Sequence, residues 1–316
     1  MCWPRPPLRF ISGPCVQGKA DMSVAAKNVI FERYRVLRKL GKGSFGKLYS
    51  GVDVKTGAPV AIKFEIKKTS DQKQLAWEYH IYKRMAGTKL YRDALWPSAH
   101  QLGQKKCGSL IMVMDLLGRS LEAVSRPASP GVVAHIALHV VTALRKFHEN
   151  GFVHRDIKLG NLLLSRDASF PAVMLVDYGL ATRVKTADKY ADGRGLKGTV
   201  RYTSVNTHLG VEQNARDDLQ SFGYVLFHLA GVALPWFVVR KSSDKKRSYY
   251  TITKEKLRFD PWSAGAVLPK DLGTALAEYL SYVNSLPFHV WPNYDFLLAL
   301  FQPLVSSFDG HIPFDT

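Results

Sequence analysis

The sequence predicts an α+β fold in which a small β-rich lobe is followed by a larger α-helical lobe. Short β-rich segments crowd residues 34–117, one amphipathic helix interrupts them, and helical periodicity dominates after Gly118. The 316 residues, of which 46% are hydrophobic and 22% charged, are typical of a folded globular protein longer than one average domain. We divide the chain into a flexible leader (1–33), an N-terminal lobe (34–117), a C-terminal lobe (118–310) and a tail (311–316).

The leader differs in character from the rest of the chain. Its first part is rich in Pro and Gly and shows neither helical nor alternating periodicity, so we expect residues 1–33 to lie outside the fold. No apolar stretch of about 7–15 residues follows a basic start, which argues against a secretory signal.

The N-terminal lobe is predicted to contain strands and one helix. Its strand candidates are rich in β-forming residues and bounded by Gly, Thr-Gly or Lys-rich breaks, and they cover residues 34–40, 47–54, 59–66 and 109–117. A helix is predicted over residues 71–85, where apolar side chains recur at helical spacing: Leu75, Tyr79, Tyr82 and Met85.

The C-terminal lobe is predicted to be mostly helical. The longest helix is expected over residues 130–150, which carry Val133, Ile136, Val140, Val141, Leu144 and Phe147 on one face. Residues 216–231 and 272–286 show similar patterns and predict two further helices.

Composition and charge narrow the class of protein. No apolar run reaches the ~18–20 residues of a membrane span, and the three cysteines, Cys2, Cys15 and Cys107, match no paired metal-ligand motif. We expect a reducing setting, cytoplasmic or nuclear, and no membrane as a partner. The net charge of +18 attracts acidic or phosphorylated partners. Residues 239–258 hold eight basic and two acidic residues, which predicts either a functional basic face or a solvated surface.

A glycine-rich turn and a strand lysine suggest a phosphate site. Gly41, Gly43 and Gly46 lie in the sequence GKGSFG between two predicted strands, and they serve either a tight hairpin or a backbone cradle for phosphates. Lys63 lies among apolar neighbours in the next strand, where it either snorkels to water or pairs with Glu78 of the predicted helix.

Two later segments add hard oxygen ligands. HRDIKLGNLLL, residues 154–164, contains Asp156 and Asn161, and LVDYGLA, residues 175–181, contains Asp177. Each residue alone is explained as a helix cap or a turn residue. Together, in this order after a glycine loop and a strand lysine, they predict a magnesium site.

From about residue 34 to residue 304, this set of motifs resembles the eukaryotic protein kinases. The resemblance implies a two-lobed kinase fold with ATP and Mg²⁺ as cofactors. It makes Asp156 the catalytic base, and Lys158 the lysine with which serine/threonine kinases steady the transferred phosphate. Asn161 and Asp177 would be the metal ligands. Lys63, fixed by Glu78, would hold the α- and β-phosphates. The implied nucleotide contacts are Gly41, Gly43, Ser44, Phe45, Gly46, Leu48, Ala61, Lys63, Glu78, Met114, Asp115, Leu116, Leu117 and Leu163.

Within the kinases, residues 198–236 are similar to the casein kinase 1 family. Ser204-Val205-Asn206 stands where most kinases carry Ala-Pro-Glu, and Asp218 takes the place of a buried structural acid. The resemblance makes Met114 the gatekeeper and residues 115–117 the hinge. It also implies a substrate phosphate pocket that involves Arg201, Arg247 and Arg194, although Arg247 in a solvated loop is the alternative.

The resemblance implies transfer of the γ-phosphoryl group to Ser or Thr in acidic or primed protein substrates, by a protein expected to be monomeric. Departures from the family are Tyr178 in place of Phe, Thr182 in place of a basic residue, and Gly160 in place of Asp or Glu. One rival is a pseudokinase scaffold, which would be expected to lack Lys63, Asp156, Asn161 or Asp177. Another is a tau-tubulin or vaccinia-related kinase. Nucleic acid is not expected as the main partner because no recognised binding motif is present.

Overall fold

The computed structural model describes residues 9–11, 29–43, 46–65, 74–87, 96–105, 108–166, 171–184, 195–239 and 245–315. The chain divides into two compact units, Met1–Leu117 and Gly118–Thr316. The first unit is rich in strands and the second is mostly helical. Ser44, Phe45, Arg194 and the three cysteines lie outside the described residues.

The first unit contains a seven-stranded sheet within its described residues. The strand order is β1-β6-β7-β5-β4-β3-β2, and all pairs are antiparallel except β1 with β6. The elements are β1 (Arg9–Ile11), β2 (Val29–Ile30), β3 (Tyr34–Lys42), β4 (Gly46–Asp53), β5 (Pro59–Glu65), α1 (Gln74–Ala86), β6 (Ala99–Lys105) and β7 (Leu110–Asp115). The four predicted strands and the predicted helix are all confirmed.

Three strands were not predicted. The expectation that residues 1–33 lie outside the fold is wrong for β1 and β2, because strands join a sheet through backbone hydrogen bonds that need no long side-chain pattern. Ile30 of β2 is buried in the core. β6 was missed because its sequence, AHQLGQK, mixes polar residues and a glycine among few apolar ones.

The sheet separates an apolar face from a face that carries the predicted nucleotide residues. Val60 and Ile62 of β5 pack with Ile111 and Val113 of β7 and with Tyr34 in one core cluster. The residues between them point to the opposite face because side chains alternate along a strand. That face receives Leu48, Ala61, Lys63 and Met114, which are linked by the pairs Leu48–Lys63 and Ala61–Met114 in the strand register.

The second unit is built from helices with short two-stranded sheets. Its helices are α2 (Pro130–Glu149), α3 (Val205–His208), α4 (Ala215–Leu229), α5 (Lys245–Arg258), α6 (Pro261–Gly265), α7 (Lys270–Ser285) and α8 (Tyr294–Ala299). Its strands are β8 (Phe152–Val153), β9 (Leu162–Leu164), β10 (Val173–Leu175) and β11 (Thr182–Arg183), with β9 paired to β10 and β8 to β11. Short 3₁₀ turns cover Leu121–Ala123, Leu159–Asn161, Tyr178–Leu180, Pro235–Phe237 and Leu304–Ser307.

Sequence signals explain the central helices. Ser129 caps α2 by accepting a hydrogen bond from the Val132 N–H, and Pro130 takes the first helical position, where its missing N–H costs nothing. Asn214 and Asp217 form a capping box at the start of α4. Both helices bury most of their residues and pack against each other, and α4 also packs on α7. The three predicted helices of this unit are confirmed.

The helix α5 was not predicted because its residues are mainly basic, polar or aromatic. Among its described side chains, Ile252 and Lys256 are buried, one helical turn apart. Among the described residues, no helix combines the length and the hydrophobicity that crossing a lipid bilayer requires.

Candidate active site

The loop between β8 and β9 places Asp156 at the centre of a hydrogen-bonded cluster. Its carboxylate Oδ2 accepts from Lys158 Nζ at 2.6 Å and from Asn161 Nδ2 at 3.2 Å, and its Oδ1 accepts from Thr199 Oγ1 at 2.7 Å. Lys158 Nζ also donates to Thr199 Oγ1 at 3.3 Å. Oδ1, which accepts one hydrogen bond, retains a second lone pair, so Asp156 is able to accept a further proton donor.

Asp218 of α4 fixes the backbone of this loop. Its carboxylate accepts from the backbone N–H groups of His154 and Arg155 at 2.7 and 2.8 Å, and it lies 2.9 Å from His148 Nε2. Burial alone raises the pKa of Asp218, but the hydrogen bond and charge of His148 and the His154 N–H hold the pKa below its usual value. The structural task predicted for Asp218 is therefore confirmed.

His154 connects the loop to the segment that carries Asp177. The His154 ring is fully buried, with Nε2 3.0 Å from the Val176 carbonyl and Nδ1 3.3 Å from the Asp156 N–H. The tautomer with hydrogen on Nε2 satisfies both contacts. Arg155, in the left-handed region at φ 68°, donates from Nε to the Leu180 carbonyl. The catalytic loop is thus bonded on both sides of Asp177.

Asn161 and Asp177 fit a magnesium site. Asn161 donates from Nδ2 to the Asp156 carbonyl at 2.9 Å, which leaves its Oδ1 with no donor among the described residues. The Val176 N–H donates to the Asn161 carbonyl at 3.0 Å, so the residue before Asp177 is fixed to Asn161. The described residues contain no group of three His, Cys, Asp or Glu able to hold a metal. A site of one carboxylate and one amide oxygen suits Mg²⁺, which commonly takes its other ligands from water and phosphate.

Asp177 itself has a strained backbone. Its φ and ψ of 67° and 68° lie in the left-handed region, which is uncommon for residues other than glycine. The following Tyr178 is fully buried, and its hydroxyl donates to the Leu175 carbonyl at 2.6 Å. The departure from Phe therefore keeps an aromatic core residue and provides the partner that its hydroxyl requires.

In the first unit, Lys63 and Glu78 form the ion pair that the sequence suggested. Lys63 Nζ lies 2.9 and 2.7 Å from the two carboxylate oxygens of Glu78, which is 2% exposed. Lys63 does not snorkel alone to water, since α1 brings Glu78 to the same face of the sheet. This ion pair fixes the position of the Lys63 ammonium on that face.

The glycine loop is a hairpin whose glycines differ in their surroundings. The Gly43 N–H donates to the Gly46 carbonyl at 2.9 Å. A Cβ at Gly46 would lie 2.6 Å from the Phe64 carbonyl oxygen, so β5 excludes a side chain there. A Cβ at Gly41 or Gly43 would meet nothing within 4 Å, so their glycines leave open space beside the hairpin backbone. This open space is what a phosphate cradle needs.

Further predicted nucleotide contacts of the first unit lie along β4, β5 and β7 and at the end of β7. Ala61 and Met114 are buried neighbours on adjacent strands, and Leu48 is half-buried on the same sheet face. Asp115 accepts from the Ser98 N–H at 2.7 Å and from His100 Nε2 at 2.7 Å. Leu116 and Leu117 are half-buried at the end of this unit, and Leu163 is half-buried on β9 of the second unit.

The segment after residue 195 carries the first predicted pocket arginine. Arg201 is exposed, its guanidinium lies 5.4 Å from the ring centre of Phe237, and its carbonyl accepts from Trp236 Nε1 at 2.8 Å. Arg247 is exposed on α5 and thus lies on a helix rather than in a loop. The Glu122 side chain lies close to Gly160: a Cβ at residue 160 would be 3.2 Å from Glu122 Oε2.

The Ser204-Val205-Asn206 motif has a clear local role. Ser204 caps α3, accepting from the Thr207 N–H at 3.1 Å, and its Oγ donates to Asp217 Oδ1 at 2.5 Å. Burial raises the pKa of Asp217 despite this hydrogen bond. The motif therefore joins the segment of Thr199 and Arg201 to the start of α4.

Comparison with known proteins identifies the family. Residues 34–273 match the family described as the protein kinase domain. A casein kinase I homolog from Kluyveromyces lactis is 36% identical over 292 residues, covering 88% of this chain and 52% of the relative. Casein kinase I homolog 2 from Schizosaccharomyces pombe is 37% identical over 291 residues, covering 89% of this chain and 64% of the relative. The chain belongs to the casein kinase 1 family of protein kinases.

Membership of the casein kinase 1 family confirms the resemblance seen in the sequence, and the two-lobed kinase fold is confirmed with it. The chain spans about half of the first relative and less than two thirds of the second. As a casein kinase 1 family member, it falls in a group that uses ATP and magnesium generally.

Sequence reasoning missed the residues that support the site. His148 and His154 of the Asp218 cluster and Lys256 of α5 were not singled out. The signal for Lys256 was its spacing of four residues from Ile252, which places both on one helix face. His148 carried no usable sequence signal, because its partners Asp218 and Tyr294 are 70 and 146 residues away.

Proposed function

We propose that this casein kinase 1 family member is an ATP- and magnesium-dependent serine/threonine protein kinase. The observation that carries the proposal is the Asp156 carboxylate, which is hydrogen-bonded to Lys158, Asn161 and Thr199 in one cluster. Phosphoryl transfer needs little covalent help from the protein, so positioning and charge are what such a cluster has to supply.

Each residue has a distinct task in the proposed transfer. Asp156 accepts the proton of the substrate hydroxyl and orients its oxygen, and Thr199 fixes the Asp156 carboxylate from the other side. Lys158 places a positive charge beside that carboxylate, where it would stabilise the negative charge of the transferred phosphoryl group. Asn161 Oδ1 and the Asp177 carboxylate would hold Mg²⁺, and Lys63 would contact the α- and β-phosphates. When bound, magnesium-ATP supplies the phosphoryl group and neutralises charge on its phosphates.

The contacts argue against a scaffold without activity. A pseudokinase is expected to have lost Lys63, Asp156, Asn161 or Asp177, and all four are present. Lys63 is paired with Glu78, and Asp156 is bonded to both of its neighbours in the loop. These contacts support an active enzyme over a binding module.

We further propose that the enzyme prefers acidic or phosphorylated protein substrates in the cytoplasm or nucleus and works as a monomer. Arg201 and Arg247 are exposed, and residues 245–258 form one basic helix. Guanidinium groups bind phosphate oxygens well because their N–H donors match phosphate geometry. Arg194 remains a third proposed member of the pocket.

The proposed transfer is tested by phosphate incorporation from labelled ATP into an acidic serine peptide, with and without Mg²⁺. We expect transfer that requires Mg²⁺ and is lost in Lys63→Met, because the ammonium that would contact the phosphates is removed. Binding of magnesium-ATP without any transfer, in protein that melts cooperatively, would contradict the proposal.

The proposed substrate preference is tested by a second peptide that carries phosphoserine three residues before the acceptor. We expect the primed peptide to be preferred, and we expect Arg201→Ala or Arg247→Ala to reduce that preference about tenfold, the worth of one charge-assisted hydrogen bond. Arg258→Ala removes the same charge from an exposed position of α5 and serves as the control. An equal reduction in all three variants would indicate general electrostatic attraction and contradict a pocket.

A further inference from the structure

A buried lysine on α5 contacts the segment that carries Thr199 and Arg201. Lys256 is 4% exposed. Its Nζ donates to the Val200 carbonyl at 2.9 Å and to the Thr203 carbonyl at 2.5 Å, and it lies 3.2 Å from His208 Nε2. Lys256 Nζ thus donates to two backbone carbonyls and also contacts a histidine ring nitrogen.

Two aromatic rings complete the surroundings of this ammonium. Lys256 Nζ lies 5.1 Å from the ring centre of Tyr224 and 5.5 Å from that of Trp236. Such ring faces attract a cation. Burial nevertheless lowers the pKa of Lys256 well below its usual value. An apolar side chain of similar size would fill the same space without this desolvation, so packing alone does not account for a lysine here.

The acceptors of Lys256 lie in one short stretch of backbone. Val200 and Thr203 flank Arg201, whose carbonyl accepts from Trp236 Nε1 at 2.8 Å. The Tyr202 and Thr203 N–H groups both donate to the Thr199 carbonyl, at 2.8 and 3.0 Å. Anchoring of residues 200–203 therefore also fixes Thr199, whose Oγ1 contacts Asp156 and Lys158.

We infer that Lys256 is a positioning residue of the transfer reaction: it anchors the backbone of residues 200–203 and so holds Thr199 against Asp156 and Lys158. The inference rests on the proposed kinase function. Lys256 acts through Thr199 and does not itself reach the reacting groups. A buried donor is suited to this task because no water competes for the two carbonyls.

The test compares Lys256→Met with Lys254→Met in the full chain. Methionine keeps the length and the apolar stem of lysine but removes its donors. Lys254 is exposed on the same helix, so its replacement removes the same charge without touching residues 200–203. We measure kcat, KM for ATP and KM for an acidic serine peptide, together with hydrogen–deuterium exchange of residues 199–204.

We expect Lys256→Met to lower kcat about tenfold to a hundredfold relative to Lys254→Met, with KM for ATP unchanged, because small displacements of positioning groups carry such costs. Exchange of residues 199–204 should become faster in Lys256→Met alone. Equal kcat within about twofold, or equal exchange of residues 199–204, would overturn the inference.

Two further outcomes remain decisive. Should Lys256→Met not melt cooperatively, Lys256→Gln replaces it in both measurements and is judged by the same criteria, since its shorter side chain does not place donors at the position of Lys256 Nζ. Should the wild type transfer no phosphate, the proposed function fails, and the exchange of residues 199–204 still decides whether Lys256 anchors them.

Discussion

Two buried carboxylates carry the electrostatics of the site in different ways. Glu78 pairs with the ammonium of Lys63, which both of its carboxylate oxygens contact. Asp218 instead accepts backbone N–H groups and His148, and its hydrogen bonds overcome the effect of burial on its pKa. The first arrangement orients a charge toward a ligand, whereas the second fixes the course of the chain.

Glu78→Gln should weaken nucleotide use with little loss of fold. The amide keeps the size of the carboxylate but not its charge, so Lys63 loses its orienting partner. We expect kcat/KM for ATP to fall about tenfold to a hundredfold, the worth of a hydrogen bond to a charged group. Glu149→Gln is the control. It breaks the ion pair between Glu149 and Arg145, whose side chains are 44% and 34% exposed, so this pair contributes little. Equal effects of the two variants would contradict the orienting role of Glu78.

The residues proposed to act in the transfer were predictable from the sequence, whereas the residues that support them were not. Asp156, Asn161 and Asp177 lie in short motifs, so their order along the chain is visible without a structure. His148 meets Asp218 70 residues away, and Lys256 meets Val200 56 residues away. Such contacts follow from tertiary packing, which local sequence does not encode.

At the scale of elements, packing between helices depends on close backbone approach. Gly265 of α6 faces Gly273 of α7, and a Cβ at Gly265 would lie 2.5 Å from the Gly273 carbonyl oxygen. No side chain fits between these helices without separating them. The glycines are therefore required by this contact, although glycine inside a helix normally destabilises it.

Gly273→Ala should destabilise the second unit although alanine is the better helix former. Its Cβ would collide with the Gly265 carbonyl, and overpacking of this kind costs about 1–3 kcal/mol. Gly195→Ala is the control because a Cβ at Gly195 meets nothing within 4 Å. The free energy of unfolding is measured by urea titration. A gain in stability for Gly273→Ala would contradict the close contact between α6 and α7.

The sequence predicted elements well where periodicity was strong. The helices α2, α4 and α7 bury apolar faces whose spacing is visible in the sequence. Periodicity failed for α5, where the buried side chains, among those that the structure describes, are Ile252 and Lys256. It also failed for β1, β2 and β6, where pairing depends on neighbouring strands.

At the scale of the whole molecule, partly buried histidines make stability depend on pH. Burial is the main cause that lowers the pKa of three histidines, His139, His208 and His228, to about 4 each. Nearby charges lower these pKa values further: His135 acts on His139, Lys256 on His208, and Arg126 and Arg201 on His228. In the unfolded chain a histidine titrates near pH ~6.5. Between these values the unfolded state binds more protons, so stability falls as the pH falls.

The second unit should therefore lose stability between pH 7 and pH 5. We expect a loss on the order of 1 kcal/mol for each of the three histidines, once their partial exposure is taken into account. Asp217, whose pKa is raised by burial, acts in the opposite direction but is a single group. His139→Leu should reduce the loss, whereas His311→Leu, at an exposed position, should not. A melting temperature that stays constant between pH 7 and pH 5 would contradict this account.

The basic residues of the molecule are visible in the sequence, but their surroundings are visible in the structure alone. The charge of +18 and the basic character of residues 239–258 are visible in the sequence. The structure separates these residues by environment, since Arg247 and Lys254 are exposed while Lys256 is buried beneath residues 200–203. Composition alone does not distinguish a charge that meets partners from one that anchors the chain.

The most direct test of the central claim is the rate of phosphate transfer to an acidic serine peptide by the wild type and by Asp156→Asn. The amide keeps the shape of the side chain but removes the negative charge that accepts the substrate proton. We expect magnesium- and ATP-dependent transfer by the wild type and a decrease in kcat of about 10²–10³ in the variant. Transfer by Asp156→Asn at the wild-type rate would contradict the account.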